Sequence, residues 1–145
     1  MTAKEAAQLY TNQGRKAPAE IVGASVSKYH ARKKEVDGHM FDSTSEALAY
    51  QVLKRWEQAG AISSLELQPR FTITQGHVGE DGRKVRPRKY VADFRYLQDG
   101  RLHVVDVKGC KTAVYSLKRA IFLEQYPQYK FEEWTPQQVK EMAQQ

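Results

Sequence analysis

The chain has 145 residues, 41% of them hydrophobic and 28% charged, with a net charge of +6 and a pI near 9.4. That suits one domain with a single core, and no apolar run approaches the length of a membrane span or a signal peptide's core. A single cysteine, Cys110, excludes an intrachain disulfide and a cysteine zinc site. These features predict a cytoplasmic protein, and the positive balance predicts an anionic partner, nucleic acid above all.

Residues 1–27, rich in Ala, Gln, Lys and Thr, read as a flexible or ancillary arm with room for a short helix over 2–10. A single domain over 28–145 follows. Its first helix opens at Ser43, the N-cap of a capping box closed by Glu46. Leu48, Val52, Leu53 and Trp56 then recur at helical spacing until Gly60. Residues 62–68 alternate as a strand, Pro69 interrupts it, and 71–74 continue it. Residues 76–89 are glycine-bearing, polar and basic, and read as a loop or exposed hairpin tip. Strands over 90–97 and 101–107 follow, joined at Asp99-Gly100, a dipeptide that tolerates the positive φ of a two-residue turn. A helix over 112–125, with Leu117, Ala120, Ile121 and Leu123 on its buried side, ends before Pro127. Residues 130–134 form a last strand, and Thr135-Pro136 starts a last helix. The order is that of an α/β domain: an antiparallel meander, then a crossover, giving a mixed sheet flanked by helices.

Positive charge gathers at Lys28 and Arg32 (beside Tyr29 and His30), at Arg83, Lys84, Arg86, Arg88 and Lys89, and at Lys108, Lys111, Lys118 and Arg119. Each cluster can serve as a solvated surface or as a grip on a phosphate backbone. The four histidines are scattered without metal-site spacing, and His103 falls on the strand face opposite Asp106.

The chemistry concentrates on the hairpin. With Asp99-Gly100 in the turn, Asp93 lies opposite Asp106, and Lys108 shares their face because side chains alternate with period two. Two facing carboxylates repel unless one is protonated, both are solvated, or a cation lies between them. Oxygen donors select a hard ion, so Mg²⁺ or Mn²⁺ is the expected cofactor. Glu46, Asp93, Asp106 and the Val107 carbonyl are the candidate ligands, with Lys108 placed to orient water and offset phosphate charge. Gln68, at the end of the first strand, is a candidate neighbour of the site. A lone Asp-x-Lys carries little information, and Glu46 also suits helix capping; it is the order of these residues along the chain that points to a site.

That order, a helix-borne Glu46, a strand Asp93, then Asp106-Val107-Lys108 on the next strand, resembles the PD-(D/E)XK nuclease superfamily, with Ala92 where the motif's proline often stands. The stretch 27–134 is also similar to a phage and prophage family of unassigned function. It matches through Lys28-Tyr29-His30, Asp37-Gly38-His39-Met40-Phe41-Asp42-Ser43, Ser45-Glu46-Ala47, Gln68-Pro69-Arg70-Phe71, Tyr90-Val91-Ala92-Asp93-Phe94 and Val105-Asp106-Val107-Lys108-Gly109. Phage resolvase-type endonucleases and archaeal junction resolvases share that layout. The resemblance implies a restriction-endonuclease-like core and a metal-dependent endodeoxyribonuclease. Such an enzyme would work in a bacterial host on branched or structured DNA in phage recombination or replication. A homodimer would suit symmetric cutting of a junction. The competing reading is a binding module with a nuclease-like fold that holds nucleic acid without cutting it; a basic structural protein of the phage particle is a third.

Overall fold

The computed structural model describes residues 33–145. The expected arm over 1–27 and the candidate contacts Lys28 and Arg32 lie outside the described residues. A short hairpin opens the described part: β1 (Lys34–Val36) and β2 (His39–Phe41) pair antiparallel around Asp37-Gly38, whose φ angles are 51° and 77°. The sequence reading has no strands here, because three-residue strands carry too little alternation to register. The Asp-Gly pair is nevertheless the same turn signal as Asp99-Gly100, whose φ angles are 51° and 77°.

Helix α1 (Thr44–Gln58) starts where expected, with the Ser43 hydroxyl accepting the Glu46 N–H at 3.1 Å. It buries Ala47, Ala49, Tyr50, Val52 and Leu53. Then come β3 (Ser63–Leu67), β4 (Arg70–Thr74), a small outlying hairpin of β5 (His77–Val78) and β6 (Lys84–Val85), β7 (Arg88–Val91), β8 (Phe94–Gln98) and β9 (Arg101–Val107). Helix α2 (Ala113–Gln125) crosses over to β10 (Lys130–Trp134), and α3 (Pro136–Ala143) closes the chain. The central sheet runs β10-β9-β8-β3; β10 is parallel to β9, and β8 is antiparallel to both β9 and β3. The fold is therefore a mixed α/β sheet flanked by helices.

The expected single strand over 90–97 is two strands. At Ala92-Asp93 the chain leaves its partner β4 and joins β9, while opposite it Gln68-Pro69 separates β3 from β4. Proline has no N–H to give a ladder. The crossing is held instead by single bonds, Gln68 N–H to the Asp93 carbonyl at 2.9 Å and Ala92 N–H to the Pro69 carbonyl at 3.1 Å. Gln68 itself takes φ of 50°.

Two apolar layers cover the sheet. On one face Phe94, Tyr96, Val105, Val107 and Trp134 meet α1 and Val139 of α3, with Trp56 and Trp134 edge to face at 5.9 Å. On the other, Phe71, Ile73, Tyr90, Ala92 and Val104 meet Tyr115 and Phe122 of α2. The buried side of α2 differs from expectation. Leu117 is 64% exposed and Leu123 38%, Ala120 is exposed and Ile121 only half-buried, whereas Tyr115 and Phe122 are buried. The aliphatic residues suggest the helix's inner side by composition. The sheet instead offers an aromatic surface, and Phe122 fills it against Phe71 at 4.8 Å and Tyr90 at 5.0 Å. Among the described residues no helix is long and apolar enough to cross a membrane.

Truncating this inner face should cost far more than truncating the outer one. Phe122→Ala is expected to lose about 3–5 kcal/mol of unfolding free energy, and Leu117→Ala to change it by no more than about 0.5 kcal/mol. Urea denaturation of both variants checks this.

Candidate active site

The β8–β9 register runs Gln98 with Arg101, Leu97 with Leu102, and inward to Phe94 with Val105. One step further, Asp93 N–H donates to the Val105 carbonyl at 3.1 Å, which brings Asp93 up to Asp106 as the hairpin geometry predicts. Asp106 is completely buried on the central strand β9. Lys108, half-buried, sets its ammonium 3.0 Å from Asp106 Oδ1. The contact is an ion pair without hydrogen-bond geometry, so Oδ1 is a buried oxygen that accepts no hydrogen bond.

Each aspartate has one oxygen tied back into the fold. Asp93 Oδ2 accepts the Val107 N–H at 2.7 Å, and Asp106 Oδ2 accepts the hydroxyl of Tyr90. Val107 thus meets the site through its N–H, whereas the sequence nominates its carbonyl as a ligand. Burial, then the charges of Asp106 and Glu46, push the Asp93 carboxyl well above the ordinary aspartate range. Burial also raises Glu46, with Asp42 and Asp106 pushing the same way and Lys108 pulling back. Burial would lower the Lys108 ammonium, but the Asp106 carboxylate, followed by Asp93 and Glu46, outweighs it and holds the proton more tightly than usual.

Glu46 resolves an ambiguity of the sequence. The Ser43 half of the capping box forms, but the Glu46 carboxylate makes no return bond to the Ser43 N–H. It lines a cleft of about 100 Å³ together with His39, Met40, Gln68 and Asp93. Gln68 is likewise at the cleft, exposed at the strand break. The structure therefore gathers Glu46, Asp93, Asp106, Lys108 and Gln68 in one place. Among the described residues no group of three or more His, Cys, Asp and Glu side chains is arranged to hold a metal ion as it stands. Even so, the Asp106 charge raises the carboxyls of Asp93 and Glu46 and one buried Asp106 oxygen accepts no hydrogen bond, and a hard cation would relieve both conditions.

Three residues at this site carry no motif signal. Tyr90 holds Asp106. The ring of Tyr115 lies 4.7 Å from the Lys108 ammonium, and its hydroxyl bonds to Glu133 at 2.5 Å. Glu133 is the β10 register partner of Asp106, a neighbour created by the parallel pairing alone. Its carboxylate holds Lys111 at 2.7 Å and Arg119 at 3.4 Å. Burial would raise the Glu133 carboxyl, but bonds from Lys111 and Tyr115 and the two positive charges keep it below its ordinary value. Lys111 is thus anchored beside the site while remaining exposed. Arg83, Lys84, Arg86, Arg88 and Lys89 are all exposed on or next to the outlying hairpin, and Lys118 sits half-buried on α2 near Arg88.

The raised Asp93 carboxyl fixes a sign. The folded chain keeps a proton that the unfolded chain releases, so this stability is complete below the ordinary aspartate range and is lost as pH rises toward and past neutrality. In EDTA, Asp93→Asn is expected to flatten that fall and to be more stable than wild type at pH 8 by about 1–3 kcal/mol. Urea unfolding at pH 5 and pH 8 would read both effects.

A family described as "Protein of unknown function (DUF1064)" matches residues 26–142. No curated protein matches the chain. Among solved structures, the crystal structure of protein VC1899 from Vibrio cholerae aligns with 98% of this chain at 12% identity and a TM-score of 0.39. The chain spans about half of that protein's length, 48%.

Proposed function

The chain belongs to the DUF1064 family, and from the geometry of its acid cluster we propose that it is a metal-dependent endodeoxyribonuclease with a PD-(D/E)XK, restriction-endonuclease-like core. One observation carries the reading: Asp106, fully buried on the central strand, meets Asp93 and Lys108 beside a cleft that Glu46 lines from the other layer. The order α1, meander, α2 and parallel β10 supports the same core. A structural role for these acids has little to recommend it, since burying mutually repelling carboxylates costs stability.

Glu46, Asp93, Asp106 and the Val107 carbonyl would hold the ion. Mg²⁺ or Mn²⁺, when bound, supplies Lewis-acid polarisation of a phosphoryl oxygen and a more acidic water. Lys108 orients the attacking water and offsets charge that builds on the phosphate, its ammonium held in place by Asp106 and the Tyr115 ring. The cleft is small and has Glu46, Gln68 and Asp93 in its lining, polar groups that suit a backbone phosphate with its water. Specificity is then for backbone shape, and branched or otherwise structured DNA of recombination or replication is the proposed substrate. Arg83, Lys84, Arg86, Arg88 and Lys89 form the backbone grip away from the cut, and Lys111 and Lys118 one nearer to it.

The test incubates wild type and Asp106→Asn with labelled linear, flapped and four-way-junction DNA in Mg²⁺, Mn²⁺ or EDTA. Cleavage is expected only with metal, with a loss of at least about a hundredfold in the variant. If neither protein cuts any substrate while both bind DNA equally, the nuclease reading fails and a binding module takes its place. For the basic hairpin, replacing Lys84, Arg86 and Lys89 together with alanine is expected to lower the slope of log affinity against log salt by about 2–3. Fluorescence anisotropy across a salt series measures it.

A further inference from the structure

Tyr90 is one of three residues at this site, with Tyr115 and Glu133, that carry no motif signal. It lies on β7, 2% exposed, and its hydroxyl donates to Oδ2 of Asp106. Its ring is fixed from several sides: Phe122 at 5.0 Å, and Phe71, Tyr115 and Phe131 each at 6.5 Å. A phenol locked by packing can hold a carboxylate in only one orientation. With Oδ2 turned to Tyr90, the other oxygen, Oδ1, is the one that accepts no hydrogen bond and pairs with Lys108 at 3.0 Å.

The neighbouring acid is built the same way. Asp93 Oδ2 is taken by the Val107 N–H, so each aspartate is tethered through one oxygen. The two tethers differ in origin. One comes from the backbone of β9 and survives any side-chain change there. The other depends on a single side chain from a strand outside the central sheet, since β7 pairs with β4.

We infer that Tyr90 is a positioning residue: it fixes which oxygen of Asp106 is left facing Lys108 and so sets the affinity of the acid cluster for a divalent cation. This rests on the reading of Glu46, Asp93 and Asp106 as a cation site. Without the phenol, Oδ2 is a second buried oxygen lacking a donor, and the carboxylate turns to share Lys108 between its oxygens. The cation then competes with the ammonium for the same atoms. Partners of this kind around metal-ligating carboxylates are worth about 10–100-fold in metal affinity.

The experiment titrates Mn²⁺ into wild type, Tyr90→Phe and Tyr96→Phe by calorimetry, without DNA. Tyr96 supplies the matched control, since its buried hydroxyl bonds a carboxylate, Glu132, at 2.7 Å on the opposite face of the same sheet. Both variants keep the ring, and thermal unfolding in EDTA checks that both fold with similar losses. Tyr90→Phe is expected to bind Mn²⁺ about 10–100-fold more weakly and Tyr96→Phe to match wild type. In DNA cleavage, Tyr90→Phe should lose kcat at limiting Mn²⁺, recover it as Mn²⁺ is raised, and keep its KM for DNA. Equal Mn²⁺ affinity in wild type and Tyr90→Phe overturns the inference, as does a wild type that takes up no Mn²⁺. If the affinities differ as expected but no protein cuts any DNA, the positioning role stands and the nuclease reading falls.

Discussion

A carboxylate with no exposure to water on the central strand of a sheet is the constraint around which this structure is arranged. Asp106 sits between β8 and β10, covered on its face by α2. An isolated charge in such a place costs several kcal/mol, so its surroundings must supply compensation. Tyr90 donates to one oxygen and Lys108 stands against the other. Lys108 is braced in turn by the Tyr115 ring, and Tyr115 by Glu133. Glu133 holds Lys111 and Arg119, so a chain of polar contacts leads from the buried acid to the surface. The compensation falls short of complete, because Asp93 adds a second acid and Asp106 Oδ1 keeps no hydrogen bond. This residual electrostatic cost is the physical content of the proposed site.

The cleft exists because the meander is broken. Had residues 63–74 and 88–98 paired without interruption, a continuous ladder would have closed over Asp93. Pro69 withholds a donor, Gln68 takes a positive φ, and β7 and β8 pair with different strands. The break leaves Gln68 and Asp93 at a gap which the N-terminal turn of α1 reaches with Glu46. A single irregularity in the sheet thus lets a residue from the layer on one face act together with acids on the other.

The two layers support the site in different ways. The α1 side mixes aliphatic residues and alanine with Phe41, Tyr50, Phe94, Tyr96 and a tryptophan pair, and it seats the helix that carries Glu46. The α2 side is aromatic, and three of its tyrosines or phenylalanines, Tyr90, Tyr115 and Phe131, touch the polar network as well as the core. The two tyrosines suit this position because the ring packs while the hydroxyl reaches a carboxylate, and Phe131 offers its face to Arg119. Rigidity of the core is thereby passed directly to the atoms of the site.

Much of this is written locally in the chain. The Ser43, Thr112 and Thr135 caps, the Asp99-Gly100 turn and the alternation of residues 101–107 fix the helix starts and the hairpin register, because capping and turn chemistry depend on a few adjacent residues. Register alone then places Asp93 against Asp106 with Lys108 on their face. What tertiary structure decided are the relations between distant segments. The parallel pairing of β10 set Glu133 beside Asp106; the aromatic surface of the sheet chose Tyr115 and Phe122 rather than Leu117 and Leu123 as the inner side of α2; the break at Pro69 turned Glu46 from a capping residue into a cleft residue; and the packing of β7 delivered Tyr90 to a carboxylate sixteen positions away. No local pattern encodes these, since each depends on which surfaces meet after the strands have paired.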